Sequence, residues 1–236
     1  MSVRNLDERL QFRIPVGPGL VGDLSVPEGA TGVTVFAHGS GSSRLSPRNR
    51  LVAGELQRRG IATLLFDLLT PAEEENRANV FDVELLGDRL LQTTNWLVEQ
   101  PAAHGLQPCF FGASTGAAAA LAAAAQLGSS VRAVVSRGGR PDLAEPHLAR
   151  VSSPTLLIVG GRDDVVLELN RRALAVLTCE RRLAIVRGAT HLFPEAGALE
   201  AVSALAGEWL AGHLGDRPVG AARSGEVVAV DPVFLT

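Results

Sequence analysis

The chain contains no tyrosine, a single methionine and two tryptophans among its 236 residues. Without a phenol, polar work at any site falls to other side chains. Cysteine is scarce too: Cys109 and Cys179 lie far apart in apolar surroundings. That pattern reads as two buried thiols in a reducing compartment rather than a disulfide, and it points to the cytoplasm. No apolar run reaches the roughly 18 residues that suggest a membrane span. A net charge of −3 supplies no broad basic field, so neither nucleic acid nor a membrane is an expected partner. The N-terminal "MSVRNLDERLQF" is charged throughout and does not read as a signal peptide.

What is present suits one α/β domain. Hydrophobic residues make up 46% of the chain, enough for a sizeable core. Residues 10–27 read as two short strands around the turn "VGPG", paired antiparallel at a sheet edge. From residue 33 onward strands and helices alternate. "GVTVFAHG", "IATLLFDLL", "PCFFGAS", "VRAVVSRGG", "PTLLIVGG" and "RRLAIVRG" are apolar runs that end in small or polar residues. Between them the spacing predicts helices over 47–59, 82–99, 115–127 and 168–178, a short one at 142–149, and a last amphipathic helix over 197–213. Such alternation implies a mostly parallel sheet with helices on both faces. The expected domain covers residues 1–215. Residues 216–236, without helical periodicity, read as an extended tail.

In such a sheet ligands bind at the carboxyl ends of the strands. Ser114 stands there, between the strand "CFF" and the alanine-rich helix that follows. Gly112-Ala113-Ser114-Thr115-Gly116 matches G-x-S-x-G, a sharp strand-to-helix turn that lifts a serine hydroxyl above the sheet. A serine needs a base. Of the five histidines, His191 in "GATHLF" follows the last central strand and precedes the last helix, which places it on the same edge. His104, His147 and His213 fall in a connection, a short polar helix and a helix end, and His38 is expected to brace the loop it opens. The orienting acid is Asp163 in "GGRDD", with Asp164 and Asp142 as competitors. The order Ser…Asp…His is the one expected of an α/β-hydrolase. Two backbone N–H groups are expected to hold an oxyanion: Thr115, just after the serine, and Ser40 in the loop "HGSGSS".

Taken in order, "HGSGSS", "GASTG", "GGRDD" and "GATHLF" resemble the α/β-hydrolase superfamily, in particular its small dienelactone-hydrolase-like branch without a large cap domain. The resemblance covers nearly all of residues 10–213 and implies the α/β-hydrolase fold and no cofactor or metal. The branch's namesake uses a cysteine nucleophile. Ser114 occupies that place here, so the resemblance implies a serine carboxylesterase acting on a small-molecule ester rather than dienelactone chemistry. "SRLSPRNR", "SRGGRP" and "GGRDDVVLELNRR" also resemble bacterial hydrolases of this branch, some of which are fused to a phosphoribosyltransferase-like domain that is not expected within these residues. A thioesterase, lactonase, peptidase or haloperoxidase on the same fold, or a non-catalytic ligand-binding version of it, remains open at this point, as does a homodimer. The connection "TPAEEENRANVF" is too short for a large lid. Arg137 and Arg140 follow a central strand, and Arg44, Arg48 and Arg50 follow the "HGSGSS" loop. Arg137 and Arg44 are candidates to grip an anionic substrate group. The alternative is salt bridging to Glu73, Glu74 and Glu75.

Overall fold

The computed structural model describes residues 10–215 and 225–232. Valine-, leucine- and isoleucine-rich runs form its centre: β3 (Gly32–Ala37), β4 (Ala62–Phe66), β5 (Gln107–Ala113), β6 (Val134–Arg137), β7 (Thr155–Gly160) and β8 (Arg181–Val186). β3, β4, β6 and β7 are buried along their whole length, as expected of strands covered on both faces. All neighbours among these six pair in parallel. The hairpin β1 (Leu10–Ile14) and β2 (Leu20–Ser25) joins antiparallel to β4 at one edge. The sheet order is β1-β2-β4-β3-β5-β6-β7-β8-β9.

β9 (Glu226–Val230) departs from the expected tail. It runs parallel to β8, pairing Arg182 with Glu226 through to Val186 with Val230, so the sheet continues beyond residue 215. "EVVAV" alternates in burial, the pattern of a half-covered edge strand. Residues 216–224 and 233–236 of the tail, and residues 1–9 of the stretch read against a signal peptide, lie outside the described residues.

Helices cover both faces. α4 (Val83–Val98), α5 (Thr115–Leu127) and α7 (Asp164–Val176) pack on one face, and α1 (Pro47–Arg58) and α8 (Ala198–Leu214) on the other. Each face has its own core. Leu64, Phe66, Leu90, Phe110 and the α5 alanines meet on the first; Phe36, Phe111, Val135, Leu56 and Leu210 meet on the second. α4 buries Val83, Leu86, Leu90 and Leu97 at helical spacing, and its N-cap Asp82 accepts the Leu85 N–H at 3.0 Å. α5 is built on alanine because it lies deep: positions 115 to 124 are all buried, and small side chains let it sit close to the sheet and to α4.

The connection after β4 contains two short helices, α2 (Pro71–Glu74) and α3 (Arg77–Phe81). A capping box starts α2: Thr70 Oγ1 accepts from Glu73 N–H, and the Glu73 carboxylate accepts from the Thr70 N–H at 2.9 Å. Asn76 caps α3 through the Ala78 N–H at 3.1 Å. These two turns are the whole insertion after β4, so no cap domain covers the sheet edge among the described residues. The segment 142–149 splits into a 3₁₀ turn, Pro141–Ala144, and α6 (Glu145–Leu148), because Pro141 and Pro146 each start a helical turn and interrupt the one before.

Candidate active site

Ser114 sits between β5 and α5 with φ 52° and ψ −120°, a conformation that side chains rarely adopt. The backbone around it is overdetermined. Its N–H donates to Arg137 O at 3.1 Å, and its carbonyl accepts the Ala117 and Arg140 N–H groups, each at 3.1 Å. The motif's glycines are required by contact. A β-carbon at Gly112 would collide with Ala117 backbone, and one at Gly116 with the Ala37 carbonyl oxygen. α5 can therefore approach β3 and β5 closely enough to aim its first turn at the serine. Thr115 occupies the first helical position, where an amide has no acceptor within the helix.

Asp163 is the N-cap residue of α7 but makes no capping bond. Its carboxylate instead meets His191 Nδ1 at 2.6 Å. That bond fixes the imidazole tautomer with Nδ1 protonated and leaves Nε2 as the basic nitrogen. The Asp163 side chain is 14% exposed and the His191 ring 38%, so the acid is sheltered while the ring opens to solvent. The competitors are placed elsewhere. Asp164 is exposed in the first turn of α7. Asp142 is held in a fork by Arg140, at 2.8 and 2.7 Å.

His191 lies over the end of β6: a β-carbon built on Gly138 would stand 3.5 Å from both Cε1 and Nδ1 of the ring. The residue before that glycine is Arg137, whose carbonyl holds the Ser114 amide. On the other side a β-carbon on Gly39 would stand 3.0 Å from Ser114 Cβ. The structure thus gathers Ser114, His191, Asp163 and the "HGSGSS" loop at one point of the sheet edge. Ser114 Oγ itself makes no hydrogen bond among the described residues. The His191 loop has its own brace, unmarked in the sequence: Glu195 accepts from the Thr190 N–H at 3.0 Å and from its hydroxyl at 2.7 Å. Burial opposes ionisation of Glu195, but these hydrogen bonds win and hold its carboxyl below the ordinary range.

Three of the other histidines are occupied. His38 is buried; its Nε2 accepts the Leu68 N–H at 3.0 Å and its Nδ1 lies 3.1 Å from Gly39 O. An Nε2 that accepts carries no proton, so the ring is neutral, and burial holds its pKa below the usual value. His38 ties the loop after β3 to the end of β4. His147 meets Glu84 at 2.5 Å, His213 bonds Trp209 O at 2.7 Å, and His104 is exposed.

Two residues with expected roles are engaged by other partners in this structure. The Ser40 N–H is not free to meet an oxyanion in this state, because it donates to Thr115 Oγ1 at 2.9 Å. The side chain of the residue after the serine therefore holds the second expected donor in place, which the motif alone does not reveal. Arg44 is not a free substrate grip. Its guanidinium meets Asp67 at 2.6 Å and its amide the same carboxylate at 2.8 Å, with Asp23 at 3.8 Å. Arg50 also meets Asp23, at 3.4 Å, so the loop's partners are these aspartates and not the "EEE" run, of which Glu73 pairs with Arg89. Arg137 differs. It is 7% exposed, makes no ion pair among the described residues, and has Nε and Nη1 buried without a partner. Burial, and then the charge of Arg48, pull its pKa down to about 10.

Beside the loop a shallow open recess runs from Ser40 and Thr115 to Leu68, Leu69, Val80 and Leu86, with Glu74 also on its wall. No group of three or more potential metal-ligating side chains occurs among the described residues, and no helix there is long and apolar enough to cross a membrane.

A serine on a strained strand-to-helix turn at the open edge of a lidless parallel sheet defines the class: an α/β hydrolase. A dienelactone hydrolase from Anabaena variabilis is 51% identical in sequence and superposes with a TM-score of 0.87, over 89% of this chain and all of that one. The chain belongs to the dienelactone hydrolase family. A lidless α/β serine hydrolase from Xanthomonas campestris shares the fold at 21% identity, with a TM-score of 0.69 over 89% of this chain and 96% of that one. A Mycobacterium tuberculosis protein named "Putative phosphoribosyl transferase" is 60% identical over 209 residues, which are 88% of this chain and 47% of that protein. The chain thus spans about half the length of the curated relatives it matches. No protein-family model matches it.

Proposed function

We propose that the chain is a serine carboxylesterase-type hydrolase that cleaves small carboxylic esters through an acyl-enzyme. One observation supports this reading: the 2.6 Å Asp163–His191 pair stands at the end of β6, against Gly138, next to the Arg137 carbonyl that takes the amide of the strained Ser114. His191 Nε2 takes the Ser114 proton as Oγ attacks the ester carbonyl, and Asp163 stabilises the imidazolium that results. The Thr115 N–H meets the developing oxyanion. The Ser40 N–H exchanges Thr115 Oγ1 for the same oxygen, which draws the "HGSGSS" loop onto the intermediate. The protonated imidazole then delivers its proton to the leaving alkoxide, and a water activated by His191 hydrolyses the acyl-enzyme. This chemistry needs neither metal nor cofactor. The recess lined by Leu68, Leu69, Val80 and Leu86 suits a small apolar acyl or alcohol group. The substrate is a small molecule met in the cytoplasm. The transferase name belongs to a protein about twice as long as the matched segment.

The test pairs a fluorophosphonate probe with a panel of p-nitrophenyl esters, thioesters, lactones and amides. The expected outcome is stoichiometric labelling of Ser114, turnover of short acyl esters, and loss of both in Ser114→Ala. Turnover at the wild-type rate in that variant, or no labelling of the folded wild type, refutes the mechanism.

A further inference from the structure

The mechanism above uses the Thr115 side chain only as a resting place for the Ser40 amide. Its hydroxyl accepts that N–H at 2.9 Å, across 75 residues of chain. Thr115 is 3% exposed, yet it lines the recess together with Gly39, Ser40 and Gly41. A threonine hydroxyl has one proton to give as well as lone pairs to receive. Oγ1 receives from Ser40, and no acceptor among the described residues takes its own proton. The helix makes no use of the hydroxyl either. Ser114, not Thr115, is the N-cap of α5, and a β-branched side chain is no aid to helix formation.

The Ser40 amide has little room to swing. Its loop is pinned at one end by His38, whose Nε2 accepts the Leu68 N–H at 3.0 Å. At the other end the Arg44 amide donates to Asp67 at 2.8 Å. Between the pins the Ser42 N–H closes a turn on the Gly39 carbonyl at 3.2 Å, and a β-carbon on Gly39 would stand 3.0 Å from both the Ala113 carbonyl oxygen and Ser114 Cβ. An amide held this way passes from the hydroxyl to an oxyanion only if the two oxygens stand side by side, each about 3 Å from its nitrogen. The second donor gives the same placement. The Thr115 N–H and Oγ1 belong to one residue, and bond lengths keep that nitrogen and oxygen within about 4 Å. Once Ser40 has turned away, Oγ1 is a buried hydroxyl without a partner, which is costly, unless its proton goes to the anion beside it.

We infer that the Thr115 hydroxyl is a third oxyanion donor. At rest it occupies an acceptor's place for the Ser40 N–H. In the transition state it turns its O–H to the oxyanion, beside the N–H groups of Ser40 and Thr115. The proton stays on Oγ1 throughout, and no bond to it breaks. This rests on the esterase reading above, since the oxyanion forms only when Ser114 attacks a carbonyl.

Thr115→Val removes the hydroxyl and keeps the shape, while Thr115→Ser keeps the hydroxyl with a freer rotamer. For p-nitrophenyl acetate, kcat/KM of Thr115→Val should fall about 10²-fold, the loss expected for one oxyanion donor, and Thr115→Ser should recover most of it. Two ketones separate the transition state from the ground state. 2,2,2-Trifluoroacetophenone forms a tetrahedral adduct with a serine nucleophile, and its affinity should fall in parallel with kcat/KM. Acetophenone forms no such adduct, and its inhibition constant should stay the same. A threonine that only braces the loop would weaken both ketones together in Thr115→Val. A threonine that only withholds the Ser40 amide would make that variant faster. Either result overturns the inference, as does an unchanged kcat/KM. If Thr115→Val does not fold, Thr115→Ala takes the same measurements with the same expected outcomes. An active, labelled wild type whose valine variant behaves like it overturns this inference alone. A wild type that neither hydrolyses esters nor takes a fluorophosphonate label overturns the esterase reading, and the third donor with it.

Discussion

Replacing Ser114 by glycine and by alanine separates the chemistry of the hydroxyl from the strain of the backbone that carries it. Both changes remove the nucleophile and should abolish ester turnover. They differ in stability. Alanine keeps the β-carbon at φ 52° and ψ −120° and so keeps the strain, while the lost hydroxyl made no hydrogen bond among the described residues; Ser114→Ala should melt with the wild type. Glycine relieves a conformation that costs a side-chain-bearing residue of order 2 kcal/mol. Against this, glycine's extra freedom in the unfolded chain costs about 0.7 kcal/mol. The backbone bonds to Arg137, Ala117 and Arg140 survive either change. The net gain is therefore about 1.3 kcal/mol. For 236 residues the unfolding entropy is about 0.5 kcal/mol/K, so Ser114→Gly should melt roughly 2–3 °C above Ser114→Ala. Differential scanning calorimetry of the three proteins, with urea titration as a check, measures this. A glycine variant that melts at or below the alanine variant refutes the claim that the turn stores strain.

Asp163→Asn should lower kcat on the order of 10⁴-fold by disrupting the imidazole tautomer, whereas Asp164→Asn, exposed in the first turn of α7, should change it by no more than a small factor; steady-state kinetics on one ester ranks the two, and the reverse ranking moves the acid by one residue. Arg44→Ala removes a largely buried ion pair and should cost about 1–2 kcal/mol in urea unfolding while affecting acidic and neutral esters alike; a selective loss on acidic esters would return Arg44 to substrate binding. His38 has a folded-state pKa below its unfolded value near 6.5, so the unfolded chain binds the extra proton first. Its contribution is present above about pH 6.5 and is lost as pH falls through the folded pKa; urea midpoints from pH 7.5 downward should show a decline that His38→Gln reduces, and an unchanged slope in the variant would contradict the buried neutral ring. Glu195 has the opposite chemistry but the same direction: its depressed carboxyl braces the His191 loop at neutral pH and releases it as pH falls through the acid range, so Glu195→Gln should flatten the acid limb of hydrogen exchange at Thr190.

Local pattern carries much of this molecule. The apolar runs bounded by glycine are strands because continuous burial needs side chains that pack on both faces, and the segments between them are helices because their apolar residues recur every three to four positions. The hairpin at one edge follows from "VGPG", and the turn at Ser114 follows from glycines whose β-carbons would collide with Ala117 and Ala37. That Asp163 and not Asp164 faces His191 agrees with the count from Gly160, which places one residue at the cap of α7 and the other on its exposed first turn.

Everything that depends on which distant groups meet was decided by the fold. The chain order of strands does not announce that β4 lies outside β3, or that residues 226–230 return to lengthen the sheet beside β8. Five arginines near the active edge look alike as letters. Packing assigns Asp23 and Asp67 to Arg44, Asp142 to Arg140, and no carboxylate among the described residues to Arg137 and Arg48. The reason is one of range. Periodicity and turn chemistry act within a few residues and can be read along a line, whereas a charge finds its partner across 23 residues from Arg44 to Asp67, and a ring its acid across 28, only once the sheet has set their distance.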